Sequence, residues 1–228
     1  MGGGGSESIA TDISLGSTPG EQSVGEVPVR YTTFLRPDLG NTMVVAAFNS
    51  EEKLQHTTVG YLTAGRTPQT LVGRDASLVI DTNGTIDVGA WGTDVTMSQT
   101  VASVRQNLHL IVDNGKAVSD LKSDTSGKYG RSKDQLQFTW RSGIGVIDDG
   151  NIVYVTSNKI TMSALADAGV VPDMRLDIRP GPVTATRFAP KPVTTIGVDA
   201  AKLLPAMPKP VSRHLKPDQR DFFAVFVR

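Results

Sequence analysis

Hydrophobic positions in this chain fall in short runs punctuated by turn-forming residues, and strict helical spacing is rare. Residues 43–48 (Met-Val-Val-Ala-Ala-Phe) are a continuous apolar run, as expected of a strand covered on both faces. Residues 77–80 and 85–88 flank Asp81-Thr82-Asn83-Gly84. Residues 108–112 lead into Asp113-Asn114-Gly115-Lys116, and 145–148 and 152–155 flank Asp148-Asp149-Gly150-Asn151. Asn-Gly and Asp-Gly between β-branched runs predict hairpins, because both central turn positions tolerate positive φ. Residues 29–35 and 135–140 read as further strands. Residues 221–227 read as a C-terminal strand too apolar to lie exposed. Two short helices are predicted. One covers 161–168, with Thr161 or Ser163 as its cap and Gly169 as its stop; the other covers 199–204 and ends at Pro205. No repeat of 20–50 residues is visible, which argues against a solenoid or propeller.

These elements predict an α+β fold: a single domain with a mixed β-sheet core and few short helices, spanning residues 28–228. Residues 1–27 begin Met-Gly-Gly-Gly-Gly-Ser and continue with small, acidic and turn-forming residues. They read as a flexible tail or linker, poorly ordered unless paired with a sheet edge. At 228 residues the chain is long enough to bury a substantial core.

Composition narrows the function classes. The 23 basic and 23 acidic residues balance, and no basic run is interleaved with aromatics, so nucleic acid is not an expected partner. No apolar stretch approaches the roughly 20 residues of a membrane span. With no cysteine, thiolate metal sites and a cysteine nucleophile are excluded. His56, His109 and His214 lack both metal-ligand spacing and an evident carboxylate partner, so packing or surface roles are expected of them. No cofactor is expected; calcium held by loop carboxylates leaves no motif to read.

One stretch stands out chemically: Trp140-Arg141-Ser142-Gly143-Ile144-Gly145-Val146, ahead of the Asp-Asp-Gly-Asn turn. An arginine at a glycine-flanked strand end makes a good clamp for phosphate or carboxylate. A surface arginine beside an ordinary hairpin is the competing reading. Trp91 and Trp140 likewise read either as sugar-stacking platforms or as core.

The order of motifs resembles the phosphodiester glycosidase family, particularly its actinobacterial branch. The matching pieces run from Ala46-Ala47-Phe48-Asn49 through Asp75-Ala76-Ser77-Leu78-Val79-Ile80 and Asp87-Val88-Gly89-Ala90-Trp91-Gly92. They continue through Val104-Arg105-Gln106-Asn107-Leu108, the Trp140–Val146 strand, and Met174-Arg175-Leu176-Asp177-Ile178. The series ends with Lys202-Leu203-Leu204-Pro205 and Arg220-Asp221-Phe222-Phe223-Ala224-Val225.

The resemblance implies a hydrolase that cleaves a sugar phosphodiester in a glycan, cell-wall polymer or exopolysaccharide, outside the cytoplasm. It implies Asp177, Arg141 and Asn49 as catalytic positions, and Arg105, Asn107 and Arg179 as substrate-binding ones. Arginine would stabilise the departing phosphate, a carboxylate the oxocarbenium-like carbon, and an asparagine amide would fix a hydroxyl. The chain departs from the family after Asn49, where Ser50-Glu51-Glu52-Lys53 replace glycines, and after Asp177, where Ile178-Arg179-Pro180-Gly181 follow. Two glutamates repel a phosphate. A non-catalytic glycan-binding or structural domain on the same scaffold is therefore the alternative expectation. Oligomeric state is not readable from the sequence.

Overall fold

The computed structural model describes residues 11–16, 23–24, 27–28, 43–50, 59–63, 65–131, 136–147, 150–168, 173–178, 183–188, 200–213 and 222–227. Three five-stranded sheets dominate these residues. The first orders its strands Thr11–Gly16, Phe222–Val227, Met43–Asn49, Ala185–Phe188 and Ala200–Lys202. The second runs Lys116–Ala117, Val112–Asp113, Asp173–Ile178, Thr139–Val146 and Ile152–Ile160. The third runs Arg66–Gln69, Tyr61–Thr63, Val101–Gln106, Ala76–Asp81 and Ile86–Ala90. Ser23–Val24 and Val27–Pro28 form a small separate hairpin.

The molecule is thus mostly β, and two expectations need correction. Every strand ladder among the described residues is antiparallel, so the sheets are not mixed. Parallel neighbours need long crossovers, usually helical, and the described residues hold one α-helix, Met162–Asp167. That helix starts as predicted, with Thr161 Oγ1 accepting from Ala164 N at 3.2 Å. It ends at Ala168, and the expected stop at Gly169 lies outside the described residues. The helix expected over 199–204 is instead the edge strand Ala200–Lys202, paired with Ala185–Phe188. Six residues before a proline are too few for a stable isolated turn of helix, and an open sheet edge offers their backbone immediate partners.

The three predicted hairpins form. Asn114 and Gly115 have φ of 46° and 73°, the paired positive values of a type I′ turn. Residues 108–112, expected as a strand, are bent instead, and only Val112–Asp113 extends into the hairpin. Asn107 Oδ1 takes the Leu108 amide at 2.7 Å, which turns the chain out of the Val101–Gln106 strand. The strand expected over 29–35 lies outside the described residues. The segment read as a tail contains Thr11–Gly16, which lies along the whole of Phe222–Val227.

Alternation along the strands sends one face of each sheet into a shared core. Phe48, Ala185, Phe223 and Val225 come from the first sheet; Trp140, Ile144, Met174 and Leu176 from the second; Ala76, Leu78, Ile80, Ile86 and Val88 from the third. A smaller cluster, including Ile111, Met162 and Leu165, fills the gap between the helix and the outer face of the second sheet. No helix among the described residues is long and apolar enough to cross a membrane.

Gln106, fully buried, staples the third sheet to its flanking loop. Its Oε1 accepts from Gly60 N at 3.1 Å and Val72 N at 2.7 Å; its Nε2 donates to Val72 O at 3.0 Å and Ser77 Oγ at 2.9 Å. An added Cβ at Gly60 would sit 2.1 Å from that Oε1 and 2.6 Å from Leu71 Cα, a backbone atom that cannot swing aside. Gly60→Ala should therefore lower stability by about 2 kcal/mol. Urea unfolding checks this: the midpoint should fall at constant slope, and an unchanged midpoint would show that the loop has room to relax.

Candidate functional site

Arg141 lies at the most irregular point of the second sheet. Its strand, Thr139–Val146, is central, and both neighbours gain a residue beside it. Thr139 pairs with Ile160 but Arg141 with Ser157; Gly143 pairs with Arg175 but Arg141 with Ile178. Bulges of this kind bend a strand and re-aim its side chains. The second bulge sets the backbone of Leu176 and Asp177 opposite Ser142. The Asp177 side chain and all of Arg179 lie outside the described residues.

The Arg141 guanidinium is wholly buried, with Nε donating to Ile160 O and Nη2 to Gln137 O, both at 3.0 Å. Successive strand residues face opposite sides. Trp140 and Ile144 enter the shared core, and Ser142 lies on the same face. Arg141 consequently stands on the other face, the one bearing the helix.

Asn49 ends the Met43–Asn49 strand and ties the first sheet to the second. Its Nδ2 donates to Ser142 Oγ at 3.2 Å; its Oδ1 accepts from Tyr154 Oη at 2.8 Å and Thr184 N at 3.0 Å. Both lone-pair positions of the amide oxygen are occupied, so Asn49 is a buried structural tie. The structure thus brings Asn49 to Ser142, one residue from Arg141, but on the opposite face of that strand.

Asn107 makes the equivalent tie from the third sheet. Its Nδ2 donates to Arg175 O, on the strand beside Arg141. Arg105, also buried, pairs across from Leu78 and Tyr61, and opposite residues share a face. Its guanidinium lies 5.3 Å from the Tyr61 ring centroid, within cation–π range. Burying two guanidinium groups is costly unless they are held by specific partners.

Three buried polar atoms beside these ties have no hydrogen-bond partner among the described residues: Ser50 Oγ, Thr184 Oγ1 and Arg175 Nε. Ser50 follows Asn49, and Thr184 exchanges two hydrogen bonds with it. A cleft of about 380 Å³ opens nearby, between the first sheet and the Ile152–Ile160 strand. Phe48 and Tyr154 line it, their ring centroids 4.6 Å apart, with Thr186 and Arg187 supplying polar groups. Tyr154 is common to this cleft and the Asn49 tie.

A second titratable locus corrects the sequence reading of His109 as unpartnered. His109 Nε2 lies 3.9 Å from Asp75 Oδ1. Burial pushes the Asp75 carboxyl up from 3.8 to about 6. Burial, Lys128 and Arg74 together hold the His109 imidazole below its ordinary value. Trp140 is core, as one reading expected, whereas Trp91 packs at the edge of a smaller cluster. Among the described residues no group of three or more acidic, histidine or cysteine side chains is placed to hold a metal.

No family model matches the chain, and no curated protein matches it. Among solved structures it is similar to the zebrafish N-acetylglucosamine-1-phosphodiester alpha-N-acetylglucosaminidase catalytic domain, auto-inhibited by pro-peptide. The TM-score is 0.59 at 13% identity, over 96% of this chain and 73% of that one. This chain shares its fold with that catalytic domain. A hypothetical protein from Synechocystis is also similar, with a TM-score of 0.46 at 12% identity, over 95% of this chain and 57% of that one.

Sequence reasoning missed Tyr154, Thr184 and the Asp75–His109 pair. Tyr154 sits in a predicted strand, but nothing local distinguishes a tyrosine that reaches an asparagine 105 positions away. Thr184 carried no signal at all.

Two stability measurements test this geometry. Asn49→Ala should cost about 3 kcal/mol, because it strands a buried hydroxyl and a buried amide, whereas Ser50→Ala and Thr184→Val should be neutral or slightly stabilising. Equal losses from all three would mean that the two hydroxyls are satisfied. For Asp75 the folded state holds a proton that the unfolded chain releases. The associated stability is present in full below about pH 4 and lost as pH rises through about 6. Asp75→Asn should therefore stabilise by about 3 kcal/mol at pH 8 and not at all at pH 3.5, in denaturant titrations at the two pH values.

Proposed function

We propose that the chain is a hydrolase of glycosyl phosphodiesters, and the shared fold over 96% of its length is the observation that carries this reading. The zebrafish neighbour is named as acting on N-acetylglucosamine-1-phosphodiester, and its fold recurs here with the motif order described above. In this reading the departing phosphate is stabilised by a guanidinium held in a water-poor site, where its charge acts with little screening. Arg141 is the group assigned to that work, with Arg105, Asn107 and Arg179 as substrate-binding positions. The Asp177 carboxylate acts at the anomeric carbon, as nucleophile or as electrostatic partner of the oxocarbenium-like centre. Asn49 acts as a positioning residue: its Nδ2 holds Ser142, and its oxygen is spent on Tyr154 and the Thr184 amide. A phosphate leaves readily without prior protonation, so no second carboxylic acid is required. A substrate of this class in a cell-wall polymer or exopolysaccharide puts the chain outside the cytoplasm, acting without a cofactor.

One observation favours a second reading. The Asn49 oxygen is saturated, and the Arg141 fork donates to two backbone carbonyls on the face away from Asn49. Those bonds suit a scaffold that binds a glycan without turnover.

Release of sugar from a panel of glycosyl phosphodiesters, including N-acetylglucosamine-1-phosphodiesters, separates the two. Wild-type turnover should fall at least about 100-fold in Asp177→Asn, with an unfolding midpoint close to wild type, and in Arg141→Lys, read beside its own unfolding midpoint. Undiminished turnover in Asp177→Asn overturns the catalytic assignment. Saturable glycan binding without product establishes the scaffold reading instead.

A further inference from the structure

We propose that Asp75 and His109 form an acid-triggered latch: when the pair takes up one proton, the two side chains close onto each other and clamp the 120–130 loop against the third sheet. This goes beyond the hydrolase reading and does not depend on it.

The two sides of the latch are separately rigid. On the sheet side, Asp75 O accepts from Trp91 N at 3.0 Å and from Ser77 Oγ at 3.0 Å. Arg74, immediately before it, has φ of 69°, an uncommon conformation for a residue with a side chain, and its amide is held by Trp91 O at 2.9 Å. On the loop side, Asp120 accepts from Tyr129 Oη at 2.7 Å and from Lys128 Nζ, while Asp124 accepts from Ser126 N at 2.9 Å and Ser126 Oγ. Those bonds make residues 120–130 one body. His109 joins that body through its amide, which donates to Lys128 O at 3.0 Å, and its ring meets the Tyr129 ring edge-on at 6.2 Å.

Between the two sides lies the 3.9 Å gap from His109 Nε2 to Asp75 Oδ1, too long for a hydrogen bond. Asp75 is 8% exposed, and among the described residues no donor reaches its carboxylate. A buried carboxylate facing an imidazole across an open gap lacks one thing, a shared proton. With none, an ionised carboxylate faces a neutral ring; with two, a neutral carboxyl faces an imidazolium; with one, the proton bridges them as a charge-assisted hydrogen bond. Of the charged groups around His109, Lys128 and Arg74 oppose the imidazolium more strongly than Asp124 and Asp120 favour it. A single proton is therefore retained on the pair by sharing it with the Asp75 carboxylate.

NMR titration of the His109 ring, assigned with His109→Gln, and hydrogen exchange of the 128–130 amides, corrected for intrinsic rate, test the latch between pH 4 and 8. Loop protection in the wild type should be bell-shaped in pH, and flat in both Asp75→Asn and His109→Gln. The His109 pKa should drop by about one unit or more in Asp75→Asn, as loss of an adjacent carboxylate requires. An unchanged His109 titration in Asp75→Asn overturns the coupling. Coupled titration with pH-independent loop protection overturns the clamp.

Discussion

Among the described residues three five-stranded antiparallel sheets each have one apolar face to bury, and none has a layer of helices to bury it against. They solve this by meeting in one core, with the Thr139–Val146 and Asp173–Ile178 strands as the common wall. Hydrophobic contact holds the layers together but does not set their register, because it is non-directional. Register comes from two buried amides. Asn49 reaches from the first sheet to Ser142, and Asn107 from the third sheet to Arg175, so both neighbours key onto adjacent strands of the second.

That arrangement explains why the irregularities collect where they do. A strand pinned from one face by Asn49, and beside another pinned by Asn107, cannot take up twist mismatch by sliding. The mismatch appears as extra residues on its neighbours, and both register shifts fall beside Arg141. The consequence for chemistry is that Arg141 keeps its place in the regular strand while the extra residues on its two neighbours, the backbone of Asp177 among them, crowd beside it. The polar residues of this region divide into those that build the wall and those that the wall presents.

Local turn chemistry was the most legible feature of the sequence. Asn114-Gly115 declares its hairpin because only the chosen residues tolerate both backbone conformations, and Thr161 announces its helix by the cap it provides. The 43–48 run and the C-terminal strand were legible from continuous apolarity. Sheet identity was not, since short apolar runs do not specify which partner they take. The 199–204 segment shows the cost: helix-compatible residues became an edge strand because a partner edge was open. The candidate site was legible as motifs in order, not as geometry. Nothing in the spacing of Asn49 and Arg141 says that they face opposite sides of one strand. Nothing local ties His109 to Asp75, 34 positions earlier, since a bend at Asn107 brings them together.

The contrast between Gln106 and the Asn49 end separates structure from function. Gln106 is buried with two bonds accepted and two donated, as a purely architectural polar residue should be. Within reach of each asparagine tie the accounting is incomplete: Ser50 and Thr184 beside Asn49, and Arg175 beside Asn107, each bury a polar atom that no described residue satisfies. Each such atom costs about 1–3 kcal/mol relative to a satisfied one. Alanine and valine would remove the two hydroxyls at no cost in volume, so stability alone gives no reason for them. Ser50 and Thr184 lie at the seam between the first and second sheets, where Asn49 holds Tyr154, one of the residues lining the cleft. Gln106 is satisfied completely, whereas the polar residues that accompany Asn49 and Asn107 at the joins between sheets are not.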